Sequence, residues 1–411
     1  MSGPWPARPD DGGGPLAGVR VVDLSTNMTG PVATLLLAQQ GADVIKVEPP
    51  AGDVIRRIGT GRAGTSAYFV NLNRAKRSIV VDVQRPAGRD LVARLADSAD
   101  VFVQNLRPGV IERLGLGPDV LRATNPALVY VSINGYGRTG PLAALPAYDH
   151  VVQALSGIAA AQADPKTGAA ALVRHGIVDK ATGYTVAQAV TAALFARSRT
   201  GTGTQVDVSM LDSALNFLWP DGMMNHTCLD DVTVLPPIAN SFRPTPTADG
   251  FVQLVTVTDE QWQRLLQAAG LGHLLEDPDF RTPADRLRHG GRAMRQVGAV
   301  LATLPTAEVV ARLAAHDVPC APIVALDDVA SLPQIVTTGA LEETADPTLG
   351  RVRQPQPAAR FVDIPEAPRP AAPALGEHTR SVLLAMGCTP EEVEALDADG
   401  TVRVDRGGEG R

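Results

Sequence analysis

Residues 18–50 read GVRVVDLSTNMTGPVATLLLAQQGADVIKVEPP, and their punctuation decides the fold. GVRVVDLS is a short apolar run, Pro31 opens the helical run PVATLLLAQQGA, and ADVIKVE is a second apolar run stopped by Pro49 and Pro50. A strand, a helix begun by proline and a strand ended by proline make one βαβ unit. The alternation continues with SIVVDV (78–83), a helix around GRDLVARLADSA (88–99), the strand ADVFVQNL (99–106), a helix near PDVLRATNP (118–126) and the strand ALVYVSIN (127–134). Apolar strands alternating with helices predict an α/β domain, a Rossmann-like parallel sheet covered on both faces.

Beyond Gly140 the pattern turns helical, first around HVVQALSGIAAAQ and then from Asp179 through Arg199, before the turn TGTG and a strand TQVDVSML. Residues 221–240 read as an irregular linker. FVQLVTVT then opens a smaller α+β domain over 241–330, dominated by the helices DEQWQRLLQAAG, ADRLRHGGRAMRQVGAVLATL and AEVVARLAAHD. Residues 331–411 hold a possible strand pair over 341–361, a proline-rich connector PEAPRPAAPALG and a final helix EHTRSVLLAMG. Proline keeps such a connector extended, so it can carry the C-terminus back to complete the large domain of residues 17–220.

The chain has 411 residues, 45% of them hydrophobic and 20% charged, enough for two packed cores. Its formal net charge of -7 argues against a general nucleic-acid binder. Cys228, Cys320 and Cys388 match no metal-ligand or CxxC spacing and read as thiols of a reducing compartment. Residues 1–16 read as a flexible tail without the continuous apolar run of a signal peptide, and no stretch has the length of a membrane span. A cytoplasmic protein is expected, with no nucleic-acid or membrane partner.

GYGRTG at 135–140 fits GxGxxG, but Pro141 follows at once and the first βα turn is STNMTGP, so a nicotinamide site is not supported. The histidines form no HExxH pair and ALSGIA is no nucleophile elbow, which leaves metal and serine chemistry without a motif. In RHGIVDKATGYTVAQAVTAALF a single acid, Asp179, stands where a long helix begins. An N-cap is one reading, and a nucleophile kept ionised by the helix N-terminus is the other. Arg56, Lys76, Arg77, Arg107 and Arg113 recur near strand ends, where they are either solvated charges or partners for the phosphates of a nucleotide-like ligand.

Taken in order, VVDLSTNMTGP, GADVIKVEPPAGDVIR, NRAKRSIVVDV, FVQNLRPGVIERLGLG, NPALVYVSINGYGRTGP, YDHVVQALSGIAAA, DKATGYTVAQAV, HDVPCAPI and LGEHTRSVL resemble the family III CoA-transferases. That group includes formyl-CoA transferase, carnitine CoA-transferase and the 2-methylacyl-CoA racemases. The resemblance implies a large domain made from both chain ends, a smaller domain between them, and two identical subunits interlocked as rings. It makes coenzyme A the ligand, carried as acyl-CoA, with a carboxylic acid as the other substrate and no metal, nicotinamide or flavin.

It also implies that Asp179 attacks the thioester, passes through a mixed anhydride and an aspartyl-CoA thioester, and yields CoA to the acceptor acid. Tyr148 then lines the acyl site. Thr26, Asn27, Met28, Thr29 and Gly30 form the loop beside the CoA chain, Val81 and Leu114 contact adenine, Asn105, Arg107 and Arg113 contact the nucleotide, and Arg56 binds phosphate. Gln84 and Pro49 stand where relatives carry basic residues, so the phosphate contacts differ here. The GGGGQ run of formyl-CoA transferase is absent, and oxalate or formate specificity is not implied. A racemase needs a His at the position of Tyr148, whereas His150 lies two residues further on, so transfer is favoured over racemisation. A catalytically silent acyl-CoA binding protein is the rival from another class, and the presence of Asp179 argues against it.

Overall fold

A computed structural model describes residues 12–164, 166–238 and 242–405. The opening stretch gives β1 (Arg20–Asp23), α1 (Thr29–Gln39) and β2 (Asp43–Glu48). There follow α2 (Ala67–Asn73), β3 (Lys76–Val81), α3 (Pro86–Asp97), β4 (Val101–Gln104), β5 (Val129–Asn134), α4 (Asp149–Ser156), α5 (Ile177–Thr200) and β6 (Gln205–Ser209). These strands run parallel in the order β3-β2-β1-β4-β5-β6, and β7 (Val402–Arg403) closes the β3 edge antiparallel, Val402 opposite Val81. This is a mixed α/β fold with the strand order of a doubly wound sheet.

Side chains alternate across each strand, so the sheet makes two cores. Val21, Val44, Val101, Val129 and Val131 pack on one face with Ala33 and Leu37 of α1 and Val186 and Val190 of α5. Val22, Ile45, Ile79, Phe102 and Tyr130 pack on the other with Leu91 and Leu95 of α3 and Val382 and Leu383 of the helix Thr379–Ala385. Each such aliphatic, fully buried, contributes on the order of 1.5–3 kcal/mol of transfer free energy. Helices α1 and α5 touch closely at Gly183, where a Cβ would meet Val32 Cγ1 at 2.6 Å and the Thr29 carbonyl oxygen at 3.0 Å. Any side chain at 183 would therefore part the two helices that carry Thr29 and Asp179.

The chain forms two compact units, one running to Phe217 and resuming at Gly339, the other spanning Leu218–Thr338. The second has an antiparallel sheet of Thr245–Pro246, Phe251–Leu254 and Cys320–Pro322 with the helices Asp259–Ala268, Pro283–Leu301 and Thr306–Ala315. Its core centres on Trp262, Leu265, Phe280, Val297 and Leu313.

Several local expectations change. Of the tail expected over 1–16, residues 1–11 lie outside the described residues, but Gly14 N–H donates to Pro365 O at 2.7 Å and Leu16 N–H to Gln40 O at 2.8 Å, so its end is tied down. TQVDVSML stops as a strand at Ser209, and the helix Met210–Gly222 begins there and carries Pro220 within it. FVQLVTVT is a strand only over Phe251–Leu254. Residues 239–241, the end of the expected linker and the first residue of the expected small domain, and 406–411 lie outside the described residues. Beyond the helix expected at the C-terminus comes another, Pro390–Ala398, started by a capping box between Thr389 and Glu392.

Candidate active site

The strand order reverses between β1 and β4, and in an open parallel sheet the carboxyl ends of the strands at that point are where ligands bind. The loop after β1 is built for rigidity. Thr26 N–H donates to Asn105 Oδ1 at 3.0 Å, and Asn105 Nδ2 returns a bond to Thr26 O at 2.8 Å, which ties the two loops together. Asn27 takes a left-handed φ of 69°, which asparagine tolerates, and its N–H donates to Asp53 Oδ1 at 3.1 Å. From below, Lys46 Nζ donates to Ser25 O at 2.8 Å and pairs with Asp53 at 2.9 Å, with both side chains 0% exposed.

The charges beneath this loop are matched. Asp23 accepts from the hydroxyls of Ser25 and Thr34 and pairs with Lys76 at 3.2 Å. Burial alone would raise the Asp23 carboxyl, but Lys76, Lys46 and the two hydroxyls outweigh it and bring it down to about 2. Burial takes Lys76 down to about 8 against the pull of Asp23. Glu48 accepts both Nε and Nη2 of Arg56 at 2.7 Å, and burial is again outweighed, so its carboxyl lies below the ordinary range.

Asp179 has a different setting. Helix α5 is capped by Gly176 and begins at Ile177, so Asp179 is its third residue and not the expected N-cap. The orphan N–H of Asp179 is instead satisfied by Asp149 Oδ2 at 2.9 Å, from the start of α4. Asp149 is 4% exposed and its Oδ1 accepts Gln153 Nε2 at 2.5 Å. Gly176 admits Met28, whose Sδ would lie 2.7 Å from a Cβ there. The Asp179 side chain accepts one hydrogen bond, at Oδ1 from the Thr29 hydroxyl, and no cation among the described residues makes an ion pair with it. Burial pushes its carboxyl up to about 6; Thr29 pulls down, Asp149 pushes up, and His150 and Lys180 pull down by smaller amounts. It is largely ionised at neutral pH and more basic than an exposed aspartate, which favours it as a nucleophile.

A cavity of about 300 Å³ joins these parts. Of the residues singled out by sequence, it gathers Thr26, Asn27, Thr29, Asn105, Arg107, Tyr148 and Asp179. Tyr148, the N-cap residue of α4, is 64% exposed. Met28 and Gly30 back the loop from inside, whereas the exposed Arg113 and half-buried Leu114 lie outside the cavity lining. His150 is exposed and does not line it either.

Two expectations need correction on physical grounds. Arg56 is 3% exposed, forked onto Glu48 through Nε and Nη2 and stacked 3.6 Å from the Phe69 ring centroid, so its guanidinium is held inside the fold and not presented at the surface to a phosphate. Val81 is 1% exposed, its side chain inside the core shared with α3, and presents no surface to an adenine. Lys76 and Arg77 start β3 and pair with Asp23 and Asp43, which removes them from the strand-end set of basic residues.

Sequence reading passed over Asp149, Asp53, Lys46 and Tyr68. The Tyr68 phenol, half-buried, is pushed up to about 12 by burial and by Asp179, Asp53 and Asp149, so it stays neutral among three carboxylates. Only the acid beside Tyr148 in YDH carried a readable hint, as a second carboxylate at a helix start.

A family model for CoA-transferase family III matches residues 16–379. The succinyl-CoA:glutarate CoA-transferase of Mus musculus is 33% identical over 394 residues, covering 93% of this chain and 89% of that one. The formyl-CoA:oxalate CoA-transferase of Streptomyces coelicolor is 31% identical over 408 residues, covering 94% and 99%. The probable fatty acyl-CoA transferase of Mycobacterium tuberculosis is 36% identical over 318 residues, covering 74% and 80%. Its solved structure superposes with a TM-score of 0.79 at 32% identity, over 90% of this chain and 99% of that one. A model match across most of the chain and relatives aligned along nearly their whole length lead to one conclusion: the chain belongs to CoA-transferase family III and is a CoA-transferase.

Proposed function

We propose that this transferase moves CoA from an acyl-CoA thioester to a carboxylic acid through covalent intermediates on Asp179. An Asp179 carboxylate oxygen attacks the thioester carbonyl carbon and CoA leaves as its thiolate, giving a mixed anhydride. The thiolate attacks the Asp179 carbonyl carbon, expels the donor carboxylate and forms an aspartyl-CoA thioester. The acceptor carboxylate attacks that same carbon and releases the thiolate, which then attacks the acceptor's carbonyl carbon and frees Asp179. No electrons are exchanged with a redox group and no net proton is consumed.

The observation that carries this reading is a carboxylate raised to about 6, without an ion-pair partner, lining a cavity at the point where the strand order reverses. Covalent division conserves the thioester's free energy, provided water is kept out. Arg107, exposed at the same cavity, is the cation available to the CoA phosphates, with Asn105 on the same lining and Arg113 exposed outside it. A homodimer is part of the proposal. Tyr184 and Phe195 of α5 are 58% and 65% exposed, an apolar face that a second copy would cover.

The relatives' names span succinyl, formyl and fatty acyl groups, so the acid is to be found by assay. Enzyme with succinyl-CoA or acetyl-CoA and a panel of carboxylic acids in deuterated water should give a new thioester that depends on Asp179. Deuterium entering the α-carbon without any acceptor would favour a racemase. Normal CoA binding with no transfer across the panel would favour a silent binding protein.

A further inference from the structure

Two steps of this cycle make Asp179 itself the electrophile: the attack of the CoA thiolate and the attack of the acceptor carboxylate, both at its carbonyl carbon. In each, the π electrons of the Asp179 carbonyl move onto its oxygen, which becomes an oxyanion until the leaving group departs. The other two steps put the oxyanion on the substrate's carbonyl. A donor aimed at an Asp179 oxygen therefore serves one pair of steps and not the other.

Thr29 is such a donor. Its hydroxyl bonds to Asp179 Oδ1 and leaves Oδ2 without a hydrogen-bond partner among the described residues. Resting on the covalent route above, we propose that Thr29 is a catalytic residue that holds the oxyanion formed on Oδ1 whenever the Asp179 carbonyl is attacked, with Oδ2 the atom that attacks the donor thioester and is later exchanged. The hydrogen bond strengthens as the neutral acyl oxygen becomes an anion, which is the condition for lowering a barrier and not merely for binding.

The surroundings hold the donor still. Thr29 is 5% exposed and begins α1, and the turn before it is fastened at three points, Ser25 O by Lys46, Thr26 by Asn105 and Asn27 N–H by Asp53. Gly183 lets α1 and α5 approach so that the hydroxyl and the carboxylate meet. A preorganised donor of this kind is worth roughly 10²–10³ in rate, and a single hydroxyl on a route that can borrow other donors should be worth roughly 10–100-fold.

The test uses Thr29→Val, which keeps the shape and removes the hydroxyl, and Thr29→Ser, which restores it. Full-length enzyme is mixed with a donor thioester that it turns over, succinyl-CoA first, quenched at intervals, and the acyl anhydride and CoA thioester of Asp179 are followed by mass. In Thr29→Val the anhydride should form at close to the wild-type rate, while the aspartyl-CoA thioester forms and resolves roughly 10–100-fold more slowly. Thr29→Ser should return both near wild type. The acid limb of the rate profile should move above about 6 in Thr29→Val, since the lost bond is one that lowers Asp179. Equal slowing of anhydride and thioester, or no slowing of either, would overturn the proposal. A wild-type enzyme that turns over and shows neither adduct would instead remove the covalent reading on which it rests.

Discussion

Two groups of buried acids lie within one unit and are treated in opposite ways. Beneath the β1 loop, Asp23, Glu48 and Asp53 each face a cation, Lys76, Arg56 and Lys46 respectively. At the start of α5, Asp179 and Asp149 adjoin each other, and Asp179 has only a hydroxyl and more distant charges. The consequence is visible in proton affinity, about 2 for Asp23 against about 6 for Asp179. Paired charge fixes a backbone, whereas unpaired charge is held ready to react.

The sharpest way to separate the two is to remove each charge in turn. Asp179→Asn should lower transfer by roughly 10⁴-fold or more, as loss of a covalent nucleophile does. The same change should stabilise the fold. Asp179 has a folded value of about 6 against an ordinary value of 3.8, so the native state binds its proton more tightly than the unfolded one. Ionisation therefore costs stability, with nothing lost below the unfolded value and the whole cost, up to about 3 kcal/mol, present above pH 6. Urea unfolding should find the variant more stable than wild type at pH 8 and the difference gone near pH 4. Equal stability at both would mean that the carboxylate is not strained.

Lys46→Met tests the other group. It strands Asp53 and strips Ser25 O of its donor, and should cost about 3–5 kcal/mol by the same unfolding measurement. Asp23 has the opposite sign to Asp179. Its lowered value gives stability that is present above about 4 and is lost as pH falls toward about 2. Acidification should therefore first relieve Asp179 and only later weaken the base of the loop.

Rate falls over the same range in which Asp179 is relieved, and before Asp23 is affected. Below pH 6 transfer should fall roughly tenfold per unit as Asp179 takes up its proton, and a flat profile down to pH 5 would contradict the assignment. The smallest effect is expected at Arg107, where alanine should raise KM for the acyl-CoA about tenfold and leave kcat nearly unchanged. Arg56→Ala should leave KM alone and lower stability, because its guanidinium is forked onto Glu48 inside the fold.

Much of the large sheet was legible because the apolar runs are punctuated by Pro31, Pro49 and Pro50 and because continuous apolar strands suit a sheet covered on both faces. Asp179 was legible as the single acid where the long helix begins, and the Thr26–Gly30 turn as the loop leaving a strand. The partners of those residues were not. Lys46 with Asp53, Asn27 with Asp53 and Asp149 with Asp179 are contacts between separate elements, and no local pattern encodes them. Arg56 shows the same gap, for its position marks a charge but not whether the side chain turns outward or onto Glu48. Thr389 to Glu392, by contrast, was a capping box in plain view at the start of a helix that sequence reading left out.

Trapping the intermediate tests the central claim most directly. Enzyme turning over a donor thioester is treated with hydroxylamine, digested, and its peptides are weighed. The expected result is a hydroxamate on the side chain of Asp179, time-dependent loss of activity, and neither in Asp179→Asn. An enzyme that keeps transferring CoA in hydroxylamine with the Asp179 peptide unmodified would contradict the claim.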